Sequence, residues 1–139
     1  MLATGYTLHT VPPSLNDYLA LRRESGLSVK TEAQGFGALS GSWAFRHVTD
    51  ATGRAVGMGR VVGDGGWYFL IADMATLPQH QGNGIGSTIL DDLMREISRE
   101  APSGAFVTLT ADPPGRRLYE SRGFTDVAPE ATGMWRVLN

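Results

Sequence analysis

The spacing of apolar and polar positions changes several times along this chain, and each change marks an element. From Thr4 to Thr10 the positions alternate, as in a strand with one covered face, and Pro12-Pro13 ends it. Ser14 then stands where a helix N-cap belongs. Leu15, Tyr18, Leu19 and Leu21 give one apolar side to a helix running to about Ser25, and Gly26 stops it. Leu27 to Leu39 holds Gly35 and Gly37 and only a weak helical period. It predicts a short helix with flexible flanks, either a cover over a substrate or an ordinary connector. Ser42 to Val48 alternates again, Asp50-Ala51-Thr52-Gly53 reads as a turn, and Arg54 to Val62 as the hairpin partner. Gly63 to Gly66 is a second turn into a long apolar strand from Trp67 to Leu77, with both faces covered. With residues 64 and 65 as a tight turn, Val56 lies opposite Asp73 and Arg60 opposite Phe69.

Beyond Leu77 the period switches. Ile85, Ile89, Leu90, Leu93, Met94 and Ile97 recur at helical spacing, with Asp91, Asp92, Arg95, Glu96 and Arg99 on the other side. Ala101 to Gly104 breaks the chain and Ala105 to Thr110 reads as a strand. Strand, helix and strand in this order predict a parallel, right-handed crossover. Asp112-Pro113-Pro114 opens a short helix to about Ser121, ended by Gly123. Phe124 to Val127 and Met134 to Leu138 predict two last strands. With no linker or repeat, residues 1–139 read as one α/β (α+β) domain of order β-α-(α)-β-β-β-α-β-α-β-β.

The junction at Leu77 to Gly86 carries the chemistry. A helix that starts at Gly82, Gly84 and Gly86 presents N–H groups without intrahelical partners and the positive end of its dipole, so an anion is favoured there. Glycines leave those groups open to a phosphate. The alternative is a glycine-rich turn that binds nothing. A P-loop is excluded because Gly86 is followed by Ser87-Thr88 without the lysine, and a dinucleotide fingerprint because Ser87 stands where the third glycine belongs.

Composition narrows the partners. The chain has 139 residues and a formal net charge of -2, and its basic residues are scattered, which argues against a nucleic-acid surface. It has no cysteine, hence no disulfide frame and no thiolate nucleophile. His9, His47 and His80 lie far apart, so no metal site is expected. No apolar run reaches membrane-spanning length and the amino terminus lacks a signal pattern, which together predict a soluble, cytoplasmic protein without a membrane partner.

Gln81-Gly82-Asn83-Gly84-Ile85-Gly86 fits Q/R-x-x-G-x-G/A, and Arg117-Leu118-Tyr119-Glu120-Ser121-Arg122-Gly123-Phe124 contains an L-Y-E-x-x-G-F run. Both motifs, and the element order over essentially the entire chain, resemble the GNAT superfamily of N-acetyltransferases. The resemblance implies a mixed central sheet of about six to seven strands, antiparallel at its start, with flanking helices and a splayed parallel pair at the cofactor site. It also implies acetyl-CoA as co-substrate, with the pyrophosphate on Gln81, Gly82, Asn83, Gly84, Ile85, Gly86 and Ser87, and the pantetheine along Met74, Ala75 and Thr76. Tyr119 resembles the tyrosine that protonates the departing thiolate; the other reading is an aromatic packed on the sheet. Asp112 stands where the family often has Asn against the pantetheine arm; an Asp accepts the same bonds but donates no amide proton, and it equally suits an N-cap.

The general base is open. Asp73 is the acid on the long strand, and apolar neighbours are expected to raise its pKa; it equally suits a structural acceptor or a partner of Arg60. Glu32, Glu24 and a water relay are further options. The expected acceptor is the primary amine of a small aryl- or alkylamine-like molecule, with Trp43, Trp67, Tyr68 and Phe36 either shaping its pocket or belonging to the core. A peptide or protein amino group, and a non-catalytic acyl-CoA sensor, are the alternatives. A homodimer through the carboxy-terminal strands is a further option.

Overall fold

The computed structural model describes residues 1–139, which divide into two compact units, Met1–Leu109 and Thr110–Asn139. The first unit is a five-stranded sheet in the order β1-β2-β3-β4-β5, flanked by three helices. Its strands are β1 (Thr7–His9), β2 (Ala44–Thr49), β3 (Ala55–Gly63), β4 (Tyr68–Thr76) and β5 (Phe106–Thr108). The first three pairings are antiparallel and β4 pairs with β5 in parallel. No helix is long and apolar enough to cross a membrane.

Helix α1 (Leu15–Glu24) starts as its sequence dictates: the Ser14 hydroxyl accepts the Asp17 N–H at 3.1 Å. Helix α2 (Glu32–Gly41) opens with a reciprocal capping box between Thr31 and Gln34, which fixes a start that hydrophobic periodicity does not reveal. Gly35 lets the two helices approach, since an added Cβ would lie 2.7 Å from Leu15 Cδ1. Helix α3 (Ile85–Glu100) buries Ile85, Ile89, Leu90, Leu93 and Ile97 and packs on β2, β3 and β4.

Adjacent strand residues point to opposite faces, and β2 shows which helix covers which. Phe45 meets the Tyr18 ring of α1, with centroids 6.1 Å apart, while Arg46 donates to Asp92 of α3 at 2.6 Å. The sheet is therefore covered on both sides, and Phe69, Val56, Met58 and Val61 are fully buried in it.

The β3–β4 register differs from the one expected. Arg60 pairs with Ala72 and Gly63 with Phe69, because the connecting loop is longer than two residues. Asp64 Oδ1 accepts the N–H groups of Gly66, Trp67 and Tyr68 at 2.8, 3.0 and 3.2 Å, which holds open a wider turn. Farther along, Met58 pairs with Ala75, so Gly59 faces both Asp73 and Met74. This is a β-bulge, and Asp73 holds its left-handed position with φ 54°.

The sheet also has fewer strands than the six to seven expected. Phe124 to Val127 and Met134 to Leu138 adopt no strand, because their short alternating patterns find no hydrogen-bonding ladder; β5 is the edge of the sheet. The second unit contains a 3₁₀ turn at Pro113–Gly115 and helix α4 (Arg116–Ser121), where Arg116 pairs with Glu120 and Asp126 at 2.7 Å each. Gly123, at φ 87°, ends that helix as its sequence suggests.

Glycine is required at the bulge by space. A Cβ on Gly59 would fall on Met74 Sδ and lie 2.8 Å from Ile89 Cγ2, whereas one on Gly37 in α2 would meet nothing within 4 Å. Gly59→Ala is expected to lower the unfolding free energy by about 1–3 kcal/mol. Gly37→Ala is expected to leave it unchanged or raise it by roughly 0.5–1 kcal/mol. Urea denaturation of the two variants beside the parent checks both.

Candidate functional site

Strand β4 loses one neighbour halfway along. It pairs with β5 only at Tyr68–Phe106, Phe69–Val107 and Leu70–Thr108, whereas its pairing with β3 continues to Thr76. From Ile71 onward the edge of β4 that β5 had covered has no strand beside it. Unpaired N–H and C=O groups on such an edge accept an extended ligand as they would a strand. Met74, Ala75 and Thr76 lie on this stretch, Ala75 opposite Met58 and Thr76 opposite Gly57.

The chain then runs through Leu77, a 3₁₀ turn at Pro78–His80 and the glycines into α3. Gly82 and Gly84 take φ values of 81° and 78°, a conformation that glycine adopts without a Cβ penalty. Gly84 is the N-cap of α3, and no side chain caps the helix. Thr88 N–H already returns to Gly84 O at 3.0 Å. The N–H groups of Ile85, Gly86 and Ser87 precede it in the first turn, where the dipole and the missing cap together favour an anion.

The side chains of the loop serve the loop itself. Asn83 Nδ2 donates to His80 O at 2.9 Å and to Gln81 O at 3.4 Å, and Ser87 Oγ donates to Gly84 O at 3.2 Å. Gln81 is exposed. Ala3 N–H reaches Asn83 O at 2.9 Å, and a Cβ on Gly84 would fall on the Met1 carbonyl. The loop is thus fastened by its own side chains and by the amino-terminal residues.

Asp73 sits at the start of the open stretch and is densely bonded. Its Oδ2 accepts from the Tyr18 hydroxyl at 2.6 Å and from Arg60 Nε at 2.7 Å, and its Oδ1 accepts from Arg22 Nη1. Arg22 also donates Nε and Nη2 to the backbone and side chain of Ser28, each at 3.0 Å, and Arg60 donates Nη1 to Ser42 Oγ at 3.3 Å. The expectation that apolar neighbours raise the Asp73 pKa is corrected. Burial pushes it up, but the bonds from Tyr18 and Arg60 and the charges of Arg60 and Arg22 hold it below the ordinary carboxylate range. The Tyr18 hydroxyl is pushed up to about 12, first by burial and then by its bond to Asp73, so it stays a donor. The Arg60 partnership, one of the readings open in the sequence, is formed.

Tyr18, Arg22, Ser28 and Ser42 were not singled out from the sequence. Arg22 follows Tyr18 by one helical turn and so falls on the same side as the apolar residues of α1, which was the available signal. The other carboxylate candidates lie elsewhere: Glu24 is 3.7 Å from Arg54 with both side chains half-exposed, and Glu32 is exposed at the start of α2.

The aromatic residues do not form one pocket. Trp43 is half-buried and packs edge-on against the buried Phe69 with centroids 5.0 Å apart. Trp67, Tyr68 and Phe106 form a chain of ring contacts at the start of β4, the opposite end from Met74 to Thr76, and Phe36 is exposed on α2.

Within the second unit, Asp112 precedes the 3₁₀ turn and accepts the Gly115 N–H through its backbone carbonyl at 3.0 Å, while its side chain makes no cap bond. Tyr119 is half-buried, edge-on to Phe124 at 6.0 Å and close to Gly115. Burial, and then the Asp112 charge, raise its pKa, so its phenol is protonated at neutral pH.

A family model described as an acetyltransferase (GNAT) domain matches residues 27–135. A structure from meticillin-resistant Staphylococcus aureus, described as a probable acetyltransferase of unknown function, superimposes with a TM-score of 0.90. It is 34% identical, over 96% of this chain and 99% of its own. A GNAT-family acetyltransferase from Streptococcus pneumoniae superimposes with a TM-score of 0.78 at 27% identity, over 96% and 98% of the two chains. An uncharacterized N-acetyltransferase from Pyropia yezoensis is 30% identical over 86 residues, 62% of this chain and 48% of its own length. The chain thus spans about half the length of the curated relatives it matches.

The ion cluster gives a pH dependence. Because the folded pKa of Asp73 is depressed, its contribution to stability is complete above the unfolded value of about 3.9 and is lost as pH falls through the folded pKa. Asp73→Asn keeps a residue tolerant of the left-handed backbone but leaves two guanidinium groups without a counter-charge. It is expected to cost about 3–5 kcal/mol at pH 7 and to flatten the acid limb of the stability profile below about pH 4. Urea unfolding from pH 2 to 8 checks this.

Proposed function

Because the chain belongs to the GNAT acetyltransferase family, we propose that it transfers the acetyl group of acetyl-CoA directly to the primary amine of a small molecule. The observation that carries this reading is continuous: β4 loses its parallel neighbour after Leu70 and runs, through Thr76 and the glycine loop, into a helix whose N-terminus has no side-chain cap. An open strand edge suits the amide-bearing pantetheine, and an uncapped helix start suits the diphosphate. In this proposal residues 1–139 act as one GNAT domain in the cytoplasm.

Acetyl-CoA supplies an activated acyl group. In the proposed scheme the N–H groups from Gly82 to Ser87 hold its diphosphate, with Gln81 at the loop's exposed rim. The backbone of Met74, Ala75 and Thr76 aligns the arm and offers a donor to the thioester carbonyl, where negative charge develops during attack. The Asp112 carboxylate accepts from an amide of the arm. Tyr119, protonated at neutral pH, gives its proton to the departing thiolate, whose ordinary pKa of about 8.5 makes the demand modest.

Asp73 has a different part in this scheme. A carboxylate that accepts three donors and is held below its usual pKa is a poor proton acceptor. It positions Arg60 and the strand beside Met74, and the amine loses its proton to water.

Acetyl-CoA-dependent thiol release over a panel of amines tests the proposal, and a chain without cysteine contributes no thiol of its own. Turnover of at least one small primary amine is expected, together with a rise in melting temperature on adding acetyl-CoA. Tyr119→Phe is expected to lower kcat by roughly 10²–10⁴-fold with little change in the KM for acetyl-CoA. Unchanged turnover removes Tyr119 from the mechanism, and no thermal shift with acetyl-CoA removes the proposed loop site.

A further inference from the structure

The cluster around Asp73 carries an unbalanced charge. Arg22 and Arg60 each bring one positive charge to a single carboxylate. Tyr18, with its pKa pushed up to about 12, contributes none. The side chains of Arg22, Arg60 and Asp73 are 10%, 18% and 5% exposed, so water screens the excess weakly.

The donors of the two arginines are used unequally. All three nitrogens of Arg22 have partners, in Asp73 and Ser28. Arg60 gives Nε to Asp73 and Nη1 to Ser42, and its Nη2 has no partner in the protein. Since no buried side-chain nitrogen is left unbonded, that Nη2 lies on the accessible side of the cluster. A guanidinium clamped through Nε and Nη1 is rigid, and its open nitrogen has a fixed direction. The clamp is built from α1, the α1–α2 connection, the end of α2, β3 and β4, beside Met74 in the chain.

We propose that Arg60, backed by Arg22, recognises an anionic group on the acceptor, so that the substrate class is amines bearing a carboxylate or phosphate remote from the amino group. This deepens the acetyl-transfer reading and rests on it. A carboxylate brings the cluster to neutrality, two guanidinium groups against two carboxylates, and either anion gives Nη2 a charge-assisted hydrogen bond. The same excess charge repels an ammonium. The amino end therefore lies away from Arg60, and the field of the cluster favours its neutral, nucleophilic form.

Two matched pairs of probes test this: β-alanine against propylamine, and 3-aminopropyl phosphate against 3-aminopropanol. Titrated into the ¹⁵N-labelled full chain with CoA present, at least one anionic member is expected to shift the Arg60 Nε–H resonance saturably, and the neutral members are not. Which anion binds separates carboxylate from phosphate. Arg60→Gln should abolish the saturable response, read on the Arg22 Nε–H. Arg60→Lys, which keeps the charge and is checked for folding by its melting temperature, should retain it with an affinity weakened about ten-fold. In turnover, the anionic member of a pair should have the higher kcat/KM, and Arg60→Lys should raise its KM without changing the KM for acetyl-CoA. A linear or absent response to both anions, an undiminished response in Arg60→Gln, or preference for the neutral amines overturns the inference. A saturable, Arg60-dependent response without turnover of any amine leaves the anion site standing and removes acetyl transfer instead.

Discussion

The bulge that places Asp73 and Met74 opposite Gly59 is the constraint on which the rest of the first unit depends. One extra residue in β4 changes which way the strand presents its side chains, and it does so where the parallel neighbour has already ended. The left-handed backbone at Asp73 costs about 1–2 kcal/mol for an ordinary residue, less for one whose short polar side chain finds local partners. Asp73 finds three, two from α1 and one from the neighbouring strand β3. The helix α1 is thereby tied to β4 by directional bonds at the point where the strand edge opens.

That arrangement explains why the cluster is ionic. Apolar packing alone would hold α1 on the sheet, as Tyr18 and Leu21 already do, but it would not fix the bulge in one conformation. Two guanidinium groups on one carboxylate fix its orientation from both oxygens. The desolvation of three charges is costly, and such clusters contribute little net stability compared with apolar side chains of the same volume. Its retention here fits a demand for position, with the remaining positive charge directed toward the open side through Arg60.

Much of this was legible in the chain. The helical stripe from Ile85 to Ile97 is strong because every apolar position on it is used, and all its aliphatic members but Met94 are buried. Ser14, Gly26 and Gly123 marked helix ends because caps and left-handed glycines act within a few residues. The glycine loop was legible for the same reason. What failed depended on which partner a side chain or strand takes, near or far in sequence. The β3–β4 register turned on the Asp64 side chain holding a wider turn, and the last two strands on a ladder that alternation cannot supply. Asp73 was visible as the acid of the long strand, but the sign of its pKa shift was set by Tyr18, Arg22 and Arg60, which lie 55, 51 and 13 residues away along the chain.

On the proposed reading the first unit has two different means of holding negative charge, and the difference follows from how each is built. At the start of α3 the charge is partial and belongs to the backbone, and the loop side chains are turned inward to brace it: Asn83 binds loop carbonyls and Ser87 binds Gly84. A chain with a net charge of -2 can therefore accommodate a polyanion there without a basic surface. At Arg60 the charge is whole and its direction is set by Asp73 and Ser42. Backbone donors suit a ligand shared by a family, because they do not depend on any one functional side chain. A clamped guanidinium suits a ligand particular to one member, because replacing a single residue on α1, β3 or β4 changes it.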